Sequence, residues 1–262
     1  MDLHLQGRVA VVCGASKGIG LAIAQALAAE GVSLALCARG TDALKESADA
    51  IRAKFGVEVE QCAVDVRDDG ALRAFVQWAA AHFGRLDIAV PNAGGPPAKS
   101  FLETTTAEWD AAFASNLRSV VAIAQAAIPH MQRGRFGRIV AVTSYTSKQP
   151  APGLVISNAL RPGVAGLLRS LSNEFAKDGI TANAVGPGYV DSERTREVLR
   201  GQAALHRTSY DDAVASAVAG TPSGRMATLE EVAATAVWLC SAQAASTTGQ
   251  TILVDGGSYR GL

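Results

Sequence analysis

The chain has no excess of either charge. Its 24 lysines and arginines balance 24 aspartates and glutamates over 262 residues. That balance leaves no electrostatic footprint for nucleic acid or for an anionic membrane surface. The four cysteines, Cys13, Cys37, Cys62 and Cys240, are isolated along the chain and lack ligand spacing, and the first three fall in apolar, strand-like runs. They are expected to be buried thiols, with neither a disulfide framework nor a metal centre. No apolar run reaches the length needed to cross a bilayer, and the segment Met1 to Arg8 lacks the basic flank and long apolar core of a signal peptide. A cytoplasmic location follows as the expectation, with no membrane partner. There is no internal repeat and no low-complexity tract.

What the chain does have is enough apolar material, 48% of residues against 18% charged, to bury a large core as one α/β domain over residues 1–262. Short β-rich runs near 8–13, 32–37, 58–64, 87–91, 138–143, 180–185 and 251–254 alternate with helical periodicity near 19–30, 41–54, 69–83, 106–132, 157–177 and 229–241. This alternation predicts a parallel sheet with helices on both faces, doubly wound, with a ligand crevice at the C-terminal strand edge where the strand order reverses. One polar, alanine-rich stretch, 191–222, interrupts the pattern. A long insertion in a compact domain is often a functional lid.

Gly14-Ala15-Ser16-Lys17-Gly18-Ile19-Gly20 follows the apolar run Val9 to Val12 and opens a helical segment. Missing side chains in such a turn let the backbone approach a pyrophosphate, which the unpaired N–H groups and positive dipole end of the following helix hold. Further along come Asp65-Val66 at the third strand end, Asn92-Ala93-Gly94 at the fourth, Asn116 in a helix, and Pro187-Gly188 at the sixth. With these five motifs in order, the chain resembles the short-chain dehydrogenase/reductase family over almost its whole length, with 3-oxoacyl-carrier-protein reductases as the nearest label. The resemblance implies a Rossmann sheet of seven strands in the order 3-2-1-4-5-6-7, a substrate loop at 191–222, and a homotetramer built through the helices near 106–132 and 157–177 and the C-terminal strand and tail, Ser258 to Leu262.

The second strand ends Cys37-Ala38-Arg39-Gly40 with no acid to accept from a ribose 2′-hydroxyl, while Arg39 and Lys17 offer positive charge for a 2′-phosphate. NADP(H) is therefore expected over NAD(H), the bland alternative being that both are solvated surface charges. By resemblance Asp65 and Val66 meet the adenine, though Asp65 also suits an ordinary strand-end turn. Asn92, Ala93 and Gly94 shape the cofactor floor. Pro187, Gly188 and Val190 pack on the nicotinamide, and Ser192 contacts its carboxamide or the phosphates. Pro91, where the family often has asparagine, removes an N–H and could cost one ladder bond while keeping its carbonyl.

The candidate catalytic set is Asn116, Ser144, Ser157 and Arg161. In the resembled enzymes a serine polarises the substrate carbonyl, a tyrosine gives it a proton, a lysine lowers the tyrosine pKa and binds the nicotinamide ribose, and an asparagine holds a water. Asn116 and Ser144 match by position. Thirteen residues after Ser144, where the tyrosine is expected, stands Ser157, and four further on Arg161 takes the lysine position. An aliphatic hydroxyl is far less acidic than a phenol. Arginine keeps the charge and the ribose-binding donors but is a poor proton relay. Tyr189, His206 and Tyr210 are the candidate replacement donors, with packing or surface placement as the competing reading of each. Pro162 either interrupts the interior of a helix that starts near Pro152-Gly153, or sits in the first turns of one that Ser157 or Asn158 caps. Two functions are then expected: an NADP(H)-dependent oxidoreductase acting on a small carbonyl or alcohol, or a non-catalytic NADP(H)-binding sensor or scaffold.

Overall fold

A computed structural model describes residues 1–261, the side chains of Gln202, Leu205 and His206 excepted. The His206 side chain, named above as a proton donor, and Leu262 at the end of the tail thus lie outside the described residues. The strands are β1 (Val9–Cys13), β2 (Ser33–Ala38), β3 (Val59–Ala63), β4 (Ile88–Val90), β5 (Gly137–Val142), β6 (Ile180–Pro187) and β7 (Thr251–Val254). They form one all-parallel sheet in the order β3-β2-β1-β4-β5-β6-β7, the order the motifs imply. The order reverses between β1 and β4, which sets the crevice at their C-terminal ends.

Two apolar layers cover the sheet. Helices α1 (Gly18–Ala29), α2 (Thr41–Phe55) and α9 (Leu229–Cys240) pack Ile23, Leu27, Leu44, Ile51 and Val237 onto Ala10, Val12 and Leu34. On the other face α3 (Asp69–His82), α5 (Ser119–Gly134) and α6 (Val155–Phe175) set Phe75, Val76, Ile123, Met131 and Leu168 against Val9, Val11 and Ile139. Adjacent residues of β1 serve opposite layers, the two-residue alternation of a strand.

Several expectations are corrected here. The helix expected at 106–132 is three pieces in line: α4 (Thr106–Phe113), a π-helical turn over Ala114–Arg118, and α5. Together they make one helix, Thr106–Gly134, that is long and apolar enough to cross a bilayer, contrary to the sequence reading. Its apolar window is 61% buried, against α3 and the sheet. The lid stretch holds two helices, α7 (Glu193–His206) and α8 (Tyr210–Val218). Pro91 costs no ladder bond: β4 ends before it, at Val90, and its carbonyl accepts from the Val142 N–H at 2.9 Å. Cys13, Cys37 and Cys240 are buried, but Cys62 is exposed, because β3 is the edge strand and its last two residues are open to solvent.

Asp87 ties the sheet to its N-terminal approach. Its side chain is 2% exposed, accepts from the Val9 N–H at 2.9 Å, and meets Arg85 at 2.7 Å and Arg8 at 3.1 Å. Asp87→Ala leaves a buried N–H and two guanidinium groups without their acceptor, and unfolding free energy is expected to fall by about 2–3 kcal/mol. Urea unfolding checks this, and an unshifted midpoint would refute it.

Candidate active site

The glycine turn between β1 and α1 is built by exclusion. Gly14 has φ +60°, and a Cβ there would lie 2.7 Å from the Asn92 Nδ2. One at Gly20 would come within 2.3 Å of the Gly14 carbonyl oxygen. Asn92 fills the space instead, donating from Nδ2 to the carbonyls of Cys13 at 3.1 Å and Gly14 at 3.5 Å. The Ser16 carbonyl accepts from the Ser47 hydroxyl, and Ile19 packs on the α1 side of the core. Gly18 and Gly94 differ from Gly14 and Gly20 in that a Cβ on either would meet nothing within 4 Å, so both border open space.

Helix α1, like α2 and α6, lacks the side-chain N-terminal cap that α3, α4 and α9 have. Asp68 accepts from the Ala71 N–H at the start of α3, Thr105 and Glu108 form a capping box at α4, and Thr228 and Glu231 form one at α9. No side chain caps α1, and its first turn carries no acid. Its first-turn N–H groups face the open side of the turn, the arrangement that binds a phosphate.

At the end of β5, Ser144 caps a short 3-10 turn, Tyr145–Ser147, its Oγ accepting from the Thr146 N–H at 3.2 Å. Helix α6 runs behind this turn. It starts at Val155, so Ser157 lies within its first turn and caps nothing, and Pro162 is interior. This settles the two readings of Pro162 for the early start. Pro162 removes the N–H that would close on the Asn158 carbonyl. The Asn158 side chain fixes the helix entry instead, exchanging hydrogen bonds with the Ala151 backbone at 3.0 and 2.8 Å.

The Ser157 hydroxyl is bonded at 2.8 Å to that of Thr146, which is only 1% exposed. One turn on, Arg161 is buried and its Nη1 donates to the Val142 carbonyl at 2.9 Å. Its Nε has no partner among the described residues, and burial lowers its pKa to about 10, which still leaves it charged at neutral pH. Asn116 sits in the π-helical turn, its Nδ2 bonded to the Ala112 carbonyl and the Ser115 hydroxyl while its buried Oδ1 has no partner. Single π turns recur at functional sites, because the extra residue re-aims a side chain. The structure thus brings Ser144, Ser157 and Arg161 together around the end of β5, and Asn116 joins them through the contact of its turn with α6.

The remaining candidates fall at the same strand edge with mixed availability. Gly188 donates to the Val254 carbonyl, and a Cβ on it would lie 2.9 Å from the Asp255 Cα. Pro187 ends β6, and Val190 is buried and paired with Ala227. Ser192 caps α7, so its hydroxyl already accepts from the Thr195 N–H. Ala93 is half-buried and Val66 packs against the α3 layer. Arg39 is exposed at the end of β2. Asp65 is committed to Arg67, which donates to both carboxylate oxygens and holds its pKa below the usual range. Lys17 is paired with Glu193 at the start of α7, at 2.9 Å between two exposed side chains. Burial raises the Tyr145 pKa, with Tyr189 and Asp255 acting in the same direction. Tyr189 is 41% exposed and Tyr210 36%.

Sequence reasoning missed Thr146 and Glu193, whose pairings with Ser157 and Lys17 join segments apart in the chain, and Arg67, whose pairing with Asp65 is local but carries no motif.

The family model described as enoyl-(acyl carrier protein) reductase matches residues 14–259. The chain belongs to the short-chain dehydrogenase/reductase family. Among its relatives, a Streptomyces virginiae protein named as a ketoacyl reductase of the monensin polyketide synthase is 39% identical, over 95% of this chain and 96% of the relative. The 3-oxoacyl-[acyl-carrier-protein] reductase of Escherichia coli K12 is 32% identical, over 98% and 99%. Among solved structures, L-sorbose reductase from Gluconobacter frateurii, complexed with NADPH and L-sorbose, superposes with a TM-score of 0.96 at 32% identity, covering 100% of both chains.

Ser157→Ala removes the only side-chain partner that the buried Thr146 hydroxyl has among the described residues. Unfolding free energy is expected to drop by about 1 kcal/mol. Chemical denaturation measures it, and an unchanged or higher stability would show that the pair contributes nothing.

Proposed function

We propose that this chain is an NADP(H)-dependent oxidoreductase that interconverts a small carbonyl compound and its alcohol, with Ser157 and Arg161 in the places of the family's tyrosine and lysine. The observation that carries the reading is that two of the five buried side-chain atoms without a partner among the described residues, Arg161 Nε and Asn116 Oδ1, belong to the candidate catalytic set, on elements that meet near the Ser144 turn. Buried groups left without partners are costly unless a ligand or water completes them. The uncapped α1 N-terminus and the open space at Gly18 and Gly94 suit the pyrophosphate and its neighbours. Arg39, with no acid at the β2 end, suits a 2′-phosphate. Lys17 reaches that phosphate only by leaving Glu193. The relatives are named as ketoreductases and one neighbour was solved with NADPH.

When bound, the nicotinamide supplies or accepts a hydride at the carbonyl carbon. The chain's own part is positioning and charge. Ser144 Oγ donates to the substrate oxygen, and Arg161 stabilises negative charge that develops there and holds the nicotinamide ribose. The Asn116 Oδ1 holds a water that reaches solvent. Ser157 is not the proton donor, since its hydroxyl is weakly acidic and shared with Thr146. Water supplies the proton, and the loss of a placed general acid costs about 10²–10⁴-fold in rate. A substrate whose reduced form is an acidic enol or phenol relaxes that demand. We further propose that α7 and α8 form the substrate lid, that the protein is a cytoplasmic homotetramer, and that light scattering will show four chains.

The second reading, an NADP(H)-binding sensor or scaffold without turnover, is favoured by the Ser157–Thr146 pairing, which leaves the candidate set without a free acid. Fluorescence titration with NADPH and NADH, followed by an NADPH-consumption screen against ketones, diketones and quinones, separates the two. Turnover that falls with Ser144→Ala supports the enzyme, whereas tight binding without turnover across the screen overturns it.

Two further outcomes follow. Arg39→Ala removes a charge-assisted phosphate contact, so NADPH affinity is expected to fall roughly 10–100-fold with NADH affinity nearly unchanged. Equal losses for both cofactors would refute the assignment. The pH dependence has a definite sign. The Arg161 pKa is lowered to about 10 from an ordinary 12.5, so its charge is constant below pH 9 and is lost as pH rises through 10. Because burial opposes the charged form, stability contributed by this group rises over that window. Turnover is expected to be level from about pH 6 to 9 and to fall near 10. A bell centred near neutrality would point to another titrating donor.

A further inference from the structure

Three cysteines far apart in sequence lie side by side in the sheet. Cys13 on β1 pairs in register with Cys37 on β2, and Cys37 pairs in register with Cys62 on β3. Registered residues on neighbouring parallel strands project from the same face, with Cα atoms about 4.8 Å apart, inside the 4.4–6.8 Å span that a disulfide bridges. The row runs from the core to the surface: Cys13 is 1% and Cys37 0% exposed, whereas Cys62 is open to solvent on the edge strand. The backbone of this row frames the cofactor turn. The Cys37 carbonyl accepts from the Ala15 N–H at 3.1 Å, and the Cys13 carbonyl holds Asn92.

We propose that Cys62 and Cys37 form a peroxide-reactive dithiol site, in which Cys62 is the thiol that is oxidised and Cys37 the thiol that resolves it. The Cys62 sulfur attacks a hydroperoxide, cleaving the O–O bond, taking up one oxygen as sulfenic acid and releasing water or an alcohol. The Cys37 sulfur then displaces that oxygen, a disulfide forms, and the Cys37 proton leaves with the hydroxide as water. Exposure sets the order of events. The hydrogen bond with Cys13, and then burial, raise the Cys37 pKa well above the ordinary thiol value, so the exposed Cys62 and not Cys37 meets the peroxide first. The bridge joins β3 to the end of β2 directly under Ala15 and two residues before Arg39, and so weakens the cofactor turn.

The test treats the full-length protein with about one equivalent of hydrogen peroxide, alkylates remaining thiols and maps peptides by mass. The expected result is a loss of two hydrogens per chain and a linked peptide pair containing Cys37 and Cys62, reversed by a dithiol reductant. The exposed substitution Cys62→Ser, which leaves the core intact, is expected to abolish the bridge. Cys37→Ala is expected to leave sulfenic acid on Cys62, trapped by dimedone. Oxygen addition at Cys62 with no bridge, a bridge between Cys62 of two chains, or a bridge confined to Cys13 and Cys37 would each overturn the proposal. NADPH titration of the bridged form, expected to show weaker binding that recovers on reduction, tests the link to the turn, and unchanged affinity would remove it.

Discussion

The crossing of the Gly14–Gly20 turn with the end of β4 is the constraint on which the crevice depends. Asn92 comes close enough to bridge the carbonyls of Cys13, at the end of β1, and Gly14, in the turn, only because neither Gly14 nor Gly20 has a side chain. The same contact brings the α1 N-terminus to the sheet edge and leaves the outer side of the turn, at Gly18, open. A methyl group at Gly20 would push α1 away from β1 and remove the phosphate-binding geometry before it disturbed the core. A second close approach occurs on the other side of the crevice, where a Cβ on Gly186 would lie 3.0 Å from the Ser144 carbonyl oxygen. Two backbone crossings without side chains thus fix the distance between the cofactor turn and the Ser144 turn.

Within that frame the polar groups divide into satisfied and unsatisfied sets. Asn158 is spent on the loop before α6, Asp65 on Arg67, and Ser192 on capping α7. Asn116 and Arg161 each keep one buried atom without a partner. Five buried side-chain atoms lack partners among the described residues, the others being on Gln61, Ser147 and Thr181, and of the five only those of Asn116 and Arg161 belong to the candidate catalytic set.

Most of the fold was legible from the chain, because strand and helix periods, turn glycines and their order are local or nearly local properties. The strands followed from the periodicity, and their order was what the family resemblance implied. What was not legible were outcomes of contact between distant segments. The π-helical turn at Asn116 leaves the 106–134 pattern apolar and periodic, so nothing in the sequence marks the extra residue. Lys17 read as a free phosphate ligand, since its partner Glu193 lies far along the chain. Cys62 read as buried because its strand looks like the others, and only the sheet order makes it an edge. Ser157 was open between cap and helix interior, and the reciprocal bonds of Asn158 with Ala151 decided it by starting α6 earlier.

Arg161 brings these threads together. A charged group that is this deeply buried, with one hydrogen bond to a carbonyl and no acidic partner among the described residues, is costly on its own. A lysine could relieve that cost by losing its proton, but arginine keeps its charge up to about pH 10 even here. The fold therefore carries a fixed cation at the end of β5, and the site is completed by whatever brings electron density to the unpartnered Nε. Ribose hydroxyls and a developing oxyanion both do so, and neither requires the arginine to exchange a proton. On the function proposed above, permanent charge in place of a proton relay suits hydride chemistry in which the oxygen's charge is stabilised first and protonated later.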